Sequence, residues 1–340
     1  MKVLKGTEKL TIKDVAKRSG FSVATVSAVI NDVPIVSEKS KNKILQVIEE
    51  MGYRPNTIAR SLKKSKTSTL AIIVKDITNP FYPELISGIE EVAWSKNYEV
   101  FLCNTENDIE KEKKYIDNLI SKQVDGVFLS TSSLDRIVDY TVLSDSNIPY
   151  VFVNRKPNVL FDNEWFVGTD NYAAVQKAIR YIISKGIKDI AFYAGPQEYW
   201  TFNQRLLAFK ETMEKEGLEV KDEWIFTREE FNEETGYNNT LKLIKDSKLP
   251  ECIFCSSDPL AFGAYKALSE NNIKVPDDMY LMGTDNNKFG ELIGLSSIDM
   301  NNKQLGREAA EVLIDVLKNK ETQKKNEIIL PPELIIRSSC

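Results

Sequence analysis

Residues 11–31, TIKDVAKRSGFSVATVSAVIN, decide the fold of the start of this chain, because they predict two short helices joined by a tight turn. Thr11 and Ser22 are residue types that cap helices, and Asp14 follows Thr11 at capping-box spacing. Gly20 can adopt the positive φ that ends a helix. The pattern is typical of a helix-turn-helix, whose second helix lies in the DNA major groove. A hairpin of helices in some other small domain is the alternative.

The second of these helices divides its residues between two faces. Val26, Val29 and Ile30 recur at helical spacing and are expected to face the core of the domain. The other side chains are predicted to point outward, where they would meet DNA. These outward residues are Val23, Ala24, Ser27, Ala28 and Asn31.

Positive charge is concentrated in the same part of the chain. Residues 1–66 carry fourteen Lys or Arg and six Asp or Glu, a net charge of +8, whereas the whole chain carries −5 and residues 67–340 therefore −13. A basic head before an acidic body indicates that the head meets phosphate and the body does not. A solvated basic face is the alternative, but it would not explain why the positive charge stops near Lys66.

Length and composition indicate a globular protein of more than one domain. A chain of 340 residues exceeds what one hydrophobic core usually organises. Hydrophobic residues at 42% and charged residues at 28% are typical of water-soluble proteins. No apolar run approaches the length of a membrane span, and the first ten residues lack the apolar centre of a signal peptide. We therefore expect a cytoplasmic protein without a membrane partner.

Cysteine and histidine usage restricts the chemistry. Cys252 and Cys255 form a CxxC pair, which invites a redox or metal interpretation. They lie in the apolar run CIFC, a predicted strand on which residues three apart point to opposite faces, so a structural role is favoured. The chain has no histidine, which excludes histidine triads and histidine zinc sites. No phosphate-binding glycine loop is visible either, so we expect neither an enzyme nor a cofactor.

From residue 69 onward, short apolar runs alternate with helical segments in two successive sets. The first set begins with a strand at 70–74 and a helix at 81–97, and the second with a helix at 171–185 and a strand at 189–194. Repeated βα units predict parallel sheets covered by helices on both faces. The expected fold class is a small all-α helix-turn-helix domain followed by an α/β domain of two doubly wound parallel-sheet lobes.

The helix-turn-helix stretch, followed by GYRPN (52–56) and IARSLK (58–63), resembles the lactose-repressor family of bacterial transcription regulators, and the resemblance continues to the C-terminus. It implies a core with the fold of periplasmic sugar-binding proteins, whose lobes are joined by three crossovers. The implied domains are a headpiece (1–55), a hinge helix and linker (56–68), and a core for effector binding and dimerisation (69–340). Within the core, the N-lobe covers about 69–168 and 300–331, and the C-lobe about 169–299 and 332–340.

The resemblance also implies the DNA contacts. A hinge helix at 57–63 would order on operator DNA, pair with its twin and insert Leu62 into the minor groove as a wedge. An ordinary linker helix with a buried leucine is the alternative. Relatives often have arginine where this chain has Ala28, so a guanine contact is missing and the operator sequence stays open. The candidate DNA-binding residues are Thr11, Ser22, Val23, Ala24, Ser27, Ala28, Asn31, Tyr53, Asn56, Ala59 and Leu62.

Two lobes that face each other form a cleft at the carboxyl ends of their strands, where parallel sheets bind ligands. By resemblance, the candidate effector-binding residues are Phe81, Tyr82, Asn154, Tyr199, Thr201, Arg205, Phe231, Ser257 and Asp285. On the residues alone, Phe81 and Tyr82 fit a core role as well as a ring-stacking one, and Arg205 fits a surface charge. Tyr199 and Trp200 are expected to make the cleft rich in aromatic groups.

The resemblance implies a homodimeric, sequence-specific DNA-binding transcription regulator, expected to be a repressor. Its affinity for a pseudo-palindromic operator would be controlled by a small effector, a sugar or sugar acid, bound between the lobes. Whether the effector is an inducer or a co-repressor stays open, as does dimer versus tetramer. A catabolite-control regulator governed by a phosphorylated carrier protein is the alternative within the family. A transport binding protein would share the lobes but would need a secretion signal and no basic head.

Overall fold

The computed structural model describes residues 10–31, 33–53, 66–227, 230–246, 249–318 and 326–340. The chain forms two compact units, residues 1–67 and residues 68–340. The predicted hinge helix at 57–63 lies outside the described residues, as do the candidate DNA contacts Asn56, Ala59 and Leu62. None of the described helices is long and apolar enough to cross a membrane.

The described part of the first unit is a small helical domain. Its helices are α1 (Ile12–Ser19), α2 (Val23–Ile30) and α3 (Glu38–Met51). The carboxylate of Asp14 accepts the backbone N–H of Thr11 at 2.8 Å, which closes the start of α1. Gly20 ends α1 with a φ of +77°, and Ser22 caps α2 by accepting the N–H of Thr25 at 3.1 Å. These caps set the tight turn, so the predicted helix-turn-helix is confirmed.

One apolar cluster holds the three helices of this domain together. α2 packs against both α1 and α3, and the side chains between the helices are at most 9% exposed. The buried members of the cluster are Val15, Ala16, Val26, Val29, Ile44, Val47 and Tyr53.

The second unit contains two six-stranded sheets, each with helices on both faces. The strands of the first lobe are β1 (Thr69–Val74), β2 (Glu99–Asn104), β3 (Gly126–Ser130), β4 (Tyr150–Val153), β5 (Trp165–Thr169) and β11 (Glu327–Leu330). Those of the second lobe are β6 (Ile190–Tyr193), β7 (Ile225–Phe226), β8 (Cys252–Cys255), β9 (Tyr280–Thr284), β10 (Ser296–Asp299) and β12 (Glu333–Ile335).

The helices divide between the lobes in the same way. Those of the first lobe are α4 (Phe81–Ser95), α5 (Ile109–Ser121), α6 (Thr141–Asp145) and α12 (Asn302–Leu317). Those of the second lobe are α7 (Asn171–Ser184), α8 (Trp200–Lys215), α9 (Glu233–Lys245), α10 (Asp258–Glu270) and α11 (Lys288–Leu292).

The sheets have matching strand orders. The first runs β11-β5-β4-β3-β1-β2 with parallel pairs throughout, and the second runs β12-β10-β9-β8-β6-β7 with one antiparallel pair, β10 with β12. Strands buried on both faces need apolar residues at every position, which explains runs such as TLAIIV in β1. The two sulfurs of the CxxC in β8 accordingly pack into different core clusters on opposite faces of the sheet.

The chain passes between the lobes three times. The crossings lie between β5 and α7, between β10 and α12, and between β11 and β12. Each crossing leaves its sheet at the carboxyl end of a strand, so the two carboxyl edges face each other across a cleft. The predicted fold class, a helix-turn-helix domain followed in the chain by two parallel-sheet lobes, is confirmed.

Each lobe contains one pair of helices whose backbones touch at glycines. In the first lobe, a Cβ at Gly88 of α4 would overlap the backbone of Lys303, and a Cβ at Gly306 of α12 would overlap the carbonyl oxygen of Leu85. In the second lobe, Gly236 of α9 and Gly263 of α10 stand in the same reciprocal arrangement. Only glycine allows these helices to approach so closely.

Replacing Gly306 by alanine should therefore lower the thermal unfolding midpoint of the full chain. The added methyl group must push α12 away from α4, an overpacking that costs roughly 1–3 kcal/mol. Gly290→Ala in α11 is the matched control, because the nearest atom to its Cβ would lie at 3.4 Å, an ordinary contact. Equal midpoints for Gly306→Ala and Gly290→Ala would show that the helix contact is not tight.

Candidate functional site

The DNA-facing candidates of the head lie on a small surface of α2. Val23 is 41% exposed and Ala24 is also exposed, whereas Ser27 and Asn31 are half-buried. The amide nitrogen of Asn31 donates to the carbonyl oxygen of Ser27 at 2.7 Å, which fixes the end of the helix. Short side chains of this kind allow the helix backbone to come close to a DNA groove, and Val23 and Ala24 offer apolar contact of the kind that thymine methyl groups accept.

Two of the candidate DNA contacts are buried in the head, and the expectation that Ala28 points outward is wrong. Ala28 is 8% exposed, so its side chain does not stand on the exposed face of α2 with Val23 and Ala24. Tyr53 is also 8% exposed and belongs to the core of the described head. The remaining candidates at the helix starts, Thr11 and Ser22, are exposed.

In the second unit, the cleft gathers most of the predicted effector contacts around one inner cavity of about 30 Å³. A larger opening of about 480 Å³ adjoins it and shares Asn79, Tyr82 and Phe231 with it. An opening of several hundred Å³ suits a small molecule, whereas the inner cavity suits about one water. The predicted residues that line the inner cavity are Phe81, Tyr82, Asn154, Thr201, Arg205, Phe231, Ser257 and Asp285.

Arg205 lies at the floor of this cavity and is not the surface charge that its place in a helix suggests. It is 3% exposed, and its Nε donates to the amide oxygen of Asn171 at 2.7 Å. It also donates to the backbone oxygen of Ser256 and lies 3.9 Å from the carboxylate of Asp285. Burial raises the pKa of Asp285 although Arg205 opposes that shift. Arg205 therefore joins α7, α8 and the ends of two strands behind the cavity.

The two lobes present equivalent backbone turns to the cavity. Asn154 follows β4 with a φ of +64°, and Asp285 follows β9 with a φ of +107°. The N–H of Asn154 donates to Val167 of β5 at 2.9 Å, and that of Asp285 donates to Ile298 of β10 at 2.8 Å. Positive φ is costly for residues other than glycine and concentrates at functional positions. Both turns aim a polar side chain from the carboxyl edge of a sheet into the cleft.

Tyr199 lies beside the inner cavity, where it connects the lobes. Its hydroxyl accepts a hydrogen bond from the ammonium group of Lys75 at 2.7 Å, and it is 8% exposed. The backbone of the same loop accepts a further bond across the cleft, from the N–H of Leu134 to Glu198 at 2.9 Å. The ring of Trp200 also reaches from the second lobe to the first, where it packs edge-on against Phe166 of β5 with 5.2 Å between ring centroids, and it lines neither the inner cavity nor the opening.

Sequence reasoning missed two buried cations of the cleft, Lys75 and Arg155. Lys75 is 6% exposed and Arg155 is 3% exposed. Lys75 directly follows β1, and Arg155 stands two residues after β4. Their positions after apolar strands, at a carboxyl edge of the sheet, could have identified them as cleft residues from the sequence. The Nε and Nη1 atoms of Arg155 have no hydrogen-bond partner among the described residues, and the same holds for the Oγ atom of Ser257 in the same cavity.

The protonation of Lys75 should make stability depend on pH. Burial lowers the pKa of Lys75 to about 7, and Arg155 acts in the same direction while Glu198 and Asp76 oppose it. Above pH 7 the folded chain has lost a proton that the unfolded chain keeps up to about pH 10.5, so stability rises with pH in that window. Lys75→Met should thus stabilise most at pH 7 and below, by up to about 5 kcal/mol, with the gain vanishing towards pH 10.

Urea unfolding of both proteins at pH 6.5 and pH 9.5 measures this effect. Lys114→Met, on the exposed side of α5, is the control and should give the same difference from wild type at both pH values. A Lys75→Met gain that does not change with pH would contradict the depressed pKa.

Comparisons with known proteins agree with the two units. Residues 11–56 match the model of bacterial regulatory proteins of the lacI family, and residues 179–340 match the periplasmic binding protein-like domain. The HTH-type transcriptional regulator RegA of Clostridium saccharobutylicum is 36% identical over 97% of this chain and 98% of its own length. The HTH-type transcriptional repressor PurR of Histophilus somni (strain 2336) is 33% identical over the same shares, 97% and 98%.

A solved structure extends the likeness to three dimensions. The transcriptional regulator CelR, in its complex with cellobiose, has a TM-score of 0.74 at 25% identity and covers 97% of this chain and 100% of its own. The relatives are named as regulators and repressors of transcription and not as enzymes. The head, the two lobes and these matches together show a DNA-binding transcription regulator that belongs to the lacI family of bacterial regulatory proteins.

Proposed function

We propose that this protein is a cytoplasmic repressor that binds a pseudo-palindromic operator as a homodimer, and that a small effector held between its two lobes controls that binding. The observation that carries the proposal is the cleft, where both lobes supply buried polar groups that have no hydrogen-bond partner among the described residues. Buried polar groups in native structures are usually paired, so these groups call for a ligand.

The DNA half of the proposal is supported by the shape and charge of the head. α2 exposes short side chains, and residues 1–66 carry a net charge of +8. Lys39 and Lys43 are exposed in the first turns of α3, where they can meet phosphate. PurR of Histophilus somni is named a repressor, which supports repression of transcription as the role of this protein. A two-fold dimer would present two copies of α2, hence the pseudo-palindrome.

The regulatory half is supported by the contacts that join the lobes. The bonds from Lys75 to Tyr199 and from Leu134 to Glu198 hold one arrangement of the lobes. A ligand that enters the cleft must compete with such contacts or add to them, so it favours one arrangement over another. CelR binds cellobiose, which supports a carbohydrate-like effector. The alternative of a docked carrier protein is less well supported, because the unpartnered atoms of Arg155 and Ser257 belong to residues that line the cavity inside the cleft, beyond the reach of a protein surface.

Operator binding should weaken steeply with salt, because each phosphate contact by the basic head releases a counterion. Selected operator DNA, titrated with the full protein at several potassium concentrations, should give a log–log slope with a magnitude of several. The selected site should contain two half-sites related by two-fold symmetry. A salt-independent affinity, or a preferred site without that symmetry, would contradict this half of the proposal.

Phe231→Ala should remove the response to effector. The ring of Phe231 lines both the inner cavity and the opening, and packs on Phe202 with 4.9 Å between ring centroids. Its loss should raise the effector concentration for half-response at least about tenfold, since a buried aromatic contact is commonly worth more than 1.4 kcal/mol.

The measurement is operator affinity with and without the strongest binder from a thermal-shift screen of sugars, sugar acids, sugar phosphates and nucleobases. Phe289→Ala is the matched control, because Phe289 is 61% exposed on α11 and lines neither the cavity nor its opening. An unchanged half-response in Phe231→Ala would place the effector elsewhere.

A further inference from the structure

Two buried cations share one aromatic ring in the cleft. The Nζ atom of Lys75 lies 4.3 Å from the ring centroid of Tyr199, and the guanidinium carbon of Arg155 lies 4.0 Å from the same centroid. Both also lie near Phe231, at 5.6 Å and 5.7 Å from its ring centroid. The two positive charges come from different strand ends of the first lobe, and both aromatic rings come from the second lobe.

No carboxylate of the described residues forms an ion pair with either cation. Lys75 donates to the neutral hydroxyl of Tyr199, and the charges of Glu198 and Asp76 act on it only from a distance. The carboxylate of Glu112, whose charge acts on Arg155, accepts hydrogen bonds from Thr131 at 2.5 Å and Tyr140 at 2.7 Å instead. Unpaired charge at such depth is costly, and cation–π contact offsets only part of that cost.

A purely structural role for Arg155 is at odds with the pairing of the buried Arg205 and the half-buried Arg136. Arg205 uses its donors on Asn171, on a backbone oxygen and on the carboxylate of Asp285. Arg136 binds the buried carboxylate of Glu164 through both Nη atoms. Arg155 is as deeply buried as Arg205, yet its Nε and Nη1 atoms have no partner in the described part of the chain. Its free donors border the inner cavity.

We infer that the effector carries a carboxylate or phosphate group, which binds where the inner cavity, lined by Arg155, adjoins the larger opening, lined by Lys75. The inference rests on the proposed function and narrows its effector to acidic small molecules, such as sugar acids or sugar phosphates. An oxyanion accepts the free N–H groups of Arg155 in the planar geometry that guanidinium favours, and its negative charge attracts both cations. It also competes with the hydroxyl of Tyr199 for the ammonium of Lys75, so its arrival acts on a bond that joins the lobes.

The test measures the thermal unfolding midpoint of the full protein with matched probes at constant ionic strength. The probes are D-glucose, D-glucuronate and D-glucose 6-phosphate, the three corresponding galactose compounds, acetate and inorganic phosphate, with chloride as the reference. At least one oxyanion probe should raise the wild-type midpoint in a saturable manner, because a ligand bound only by the native state stabilises it. A response to carboxylates alone, or to phosphates alone, identifies the acidic group.

Variants then locate the binding. Lys75→Met and Arg155→Met should lose the shift, whereas the control Lys114→Met should keep it. Lys75→Arg is the control for a folding defect, because it keeps the positive charge. It should retain the midpoint shift at pH 8.5. Lys75 of the wild type has a pKa of about 7 and has lost its proton at that pH. The wild-type response should fall between pH 6 and pH 8.5 relative to that of Lys75→Arg.

The outcomes separate this inference from the proposed function. If no oxyanion shift depends on Lys75 and Arg155, or if a neutral sugar shifts wild type and Lys75→Met equally, the acidic-effector inference is wrong. If that neutral sugar also changes operator affinity, the proposed function is still supported although the effector is not acidic. An oxyanion that binds through Lys75 and Arg155 but leaves operator affinity unchanged at saturation supports the site and contradicts the proposed regulation.

Discussion

The core of this protein depends on one constraint: the carboxyl edges of its two sheets face each other. Parallel strands all end at one edge of their sheet, and the chain leaves each sheet from that edge at its three crossings. The loops after β1, β4, β6, β8 and β9 are thereby brought to one cleft, although they are spread over about two hundred residues of sequence. The glycine contacts between α4 and α12 and between α9 and α10 hold each lobe compact behind that cleft.

The cleft differs from an ordinary domain interior in the balance of its charges. Interiors usually pair buried charge or avoid it, because desolvation is expensive. Here Arg205 has an amide oxygen, a backbone oxygen and the carboxylate of Asp285 as partners, whereas Lys75 and Arg155 lie mainly against aromatic rings. Holding two charges that form no ion pair with the described carboxylates costs stability, and a ligand that supplies the missing negative charge would recover part of that free energy. Function and stability therefore oppose each other at this one place in the core.

Sequence patterns predicted most of the core elements to within two residues, because strands buried on both faces and capped amphipathic helices have strong local signals. The elements expected at 70–74, 81–97, 171–185 and 189–194 lie within two residues of β1, α4, α7 and β6, and the CIFC run forms β8. β5, β10 and the two terminal strands were not predicted, since runs such as WFVGT and SSID mix polar and small residues. Their partners across the sheet, and not their own residues, make them strands.

Some features of the candidate site could likewise be predicted from the sequence and others could not. The residue types that line the cavity were predicted from their positions after strands and from family resemblance, and the structure brings eight of those nine together around it. The burial of Tyr53 and the packing of Trp200 against Phe166 were not predictable, because each depends on a neighbouring element that is distant in sequence.

The sequence alone determined the helix-turn-helix, the basic head and the two-lobed parallel fold, because caps, charge and apolar periodicity are local properties. Only the tertiary structure decided that Lys75 and Arg155 meet on one ring with no carboxylate partner in the described part of the chain. They lie eighty residues apart, and their shared ring is on the other lobe. Burial and pairing are properties of what packs around a charge, and the chain order does not contain them.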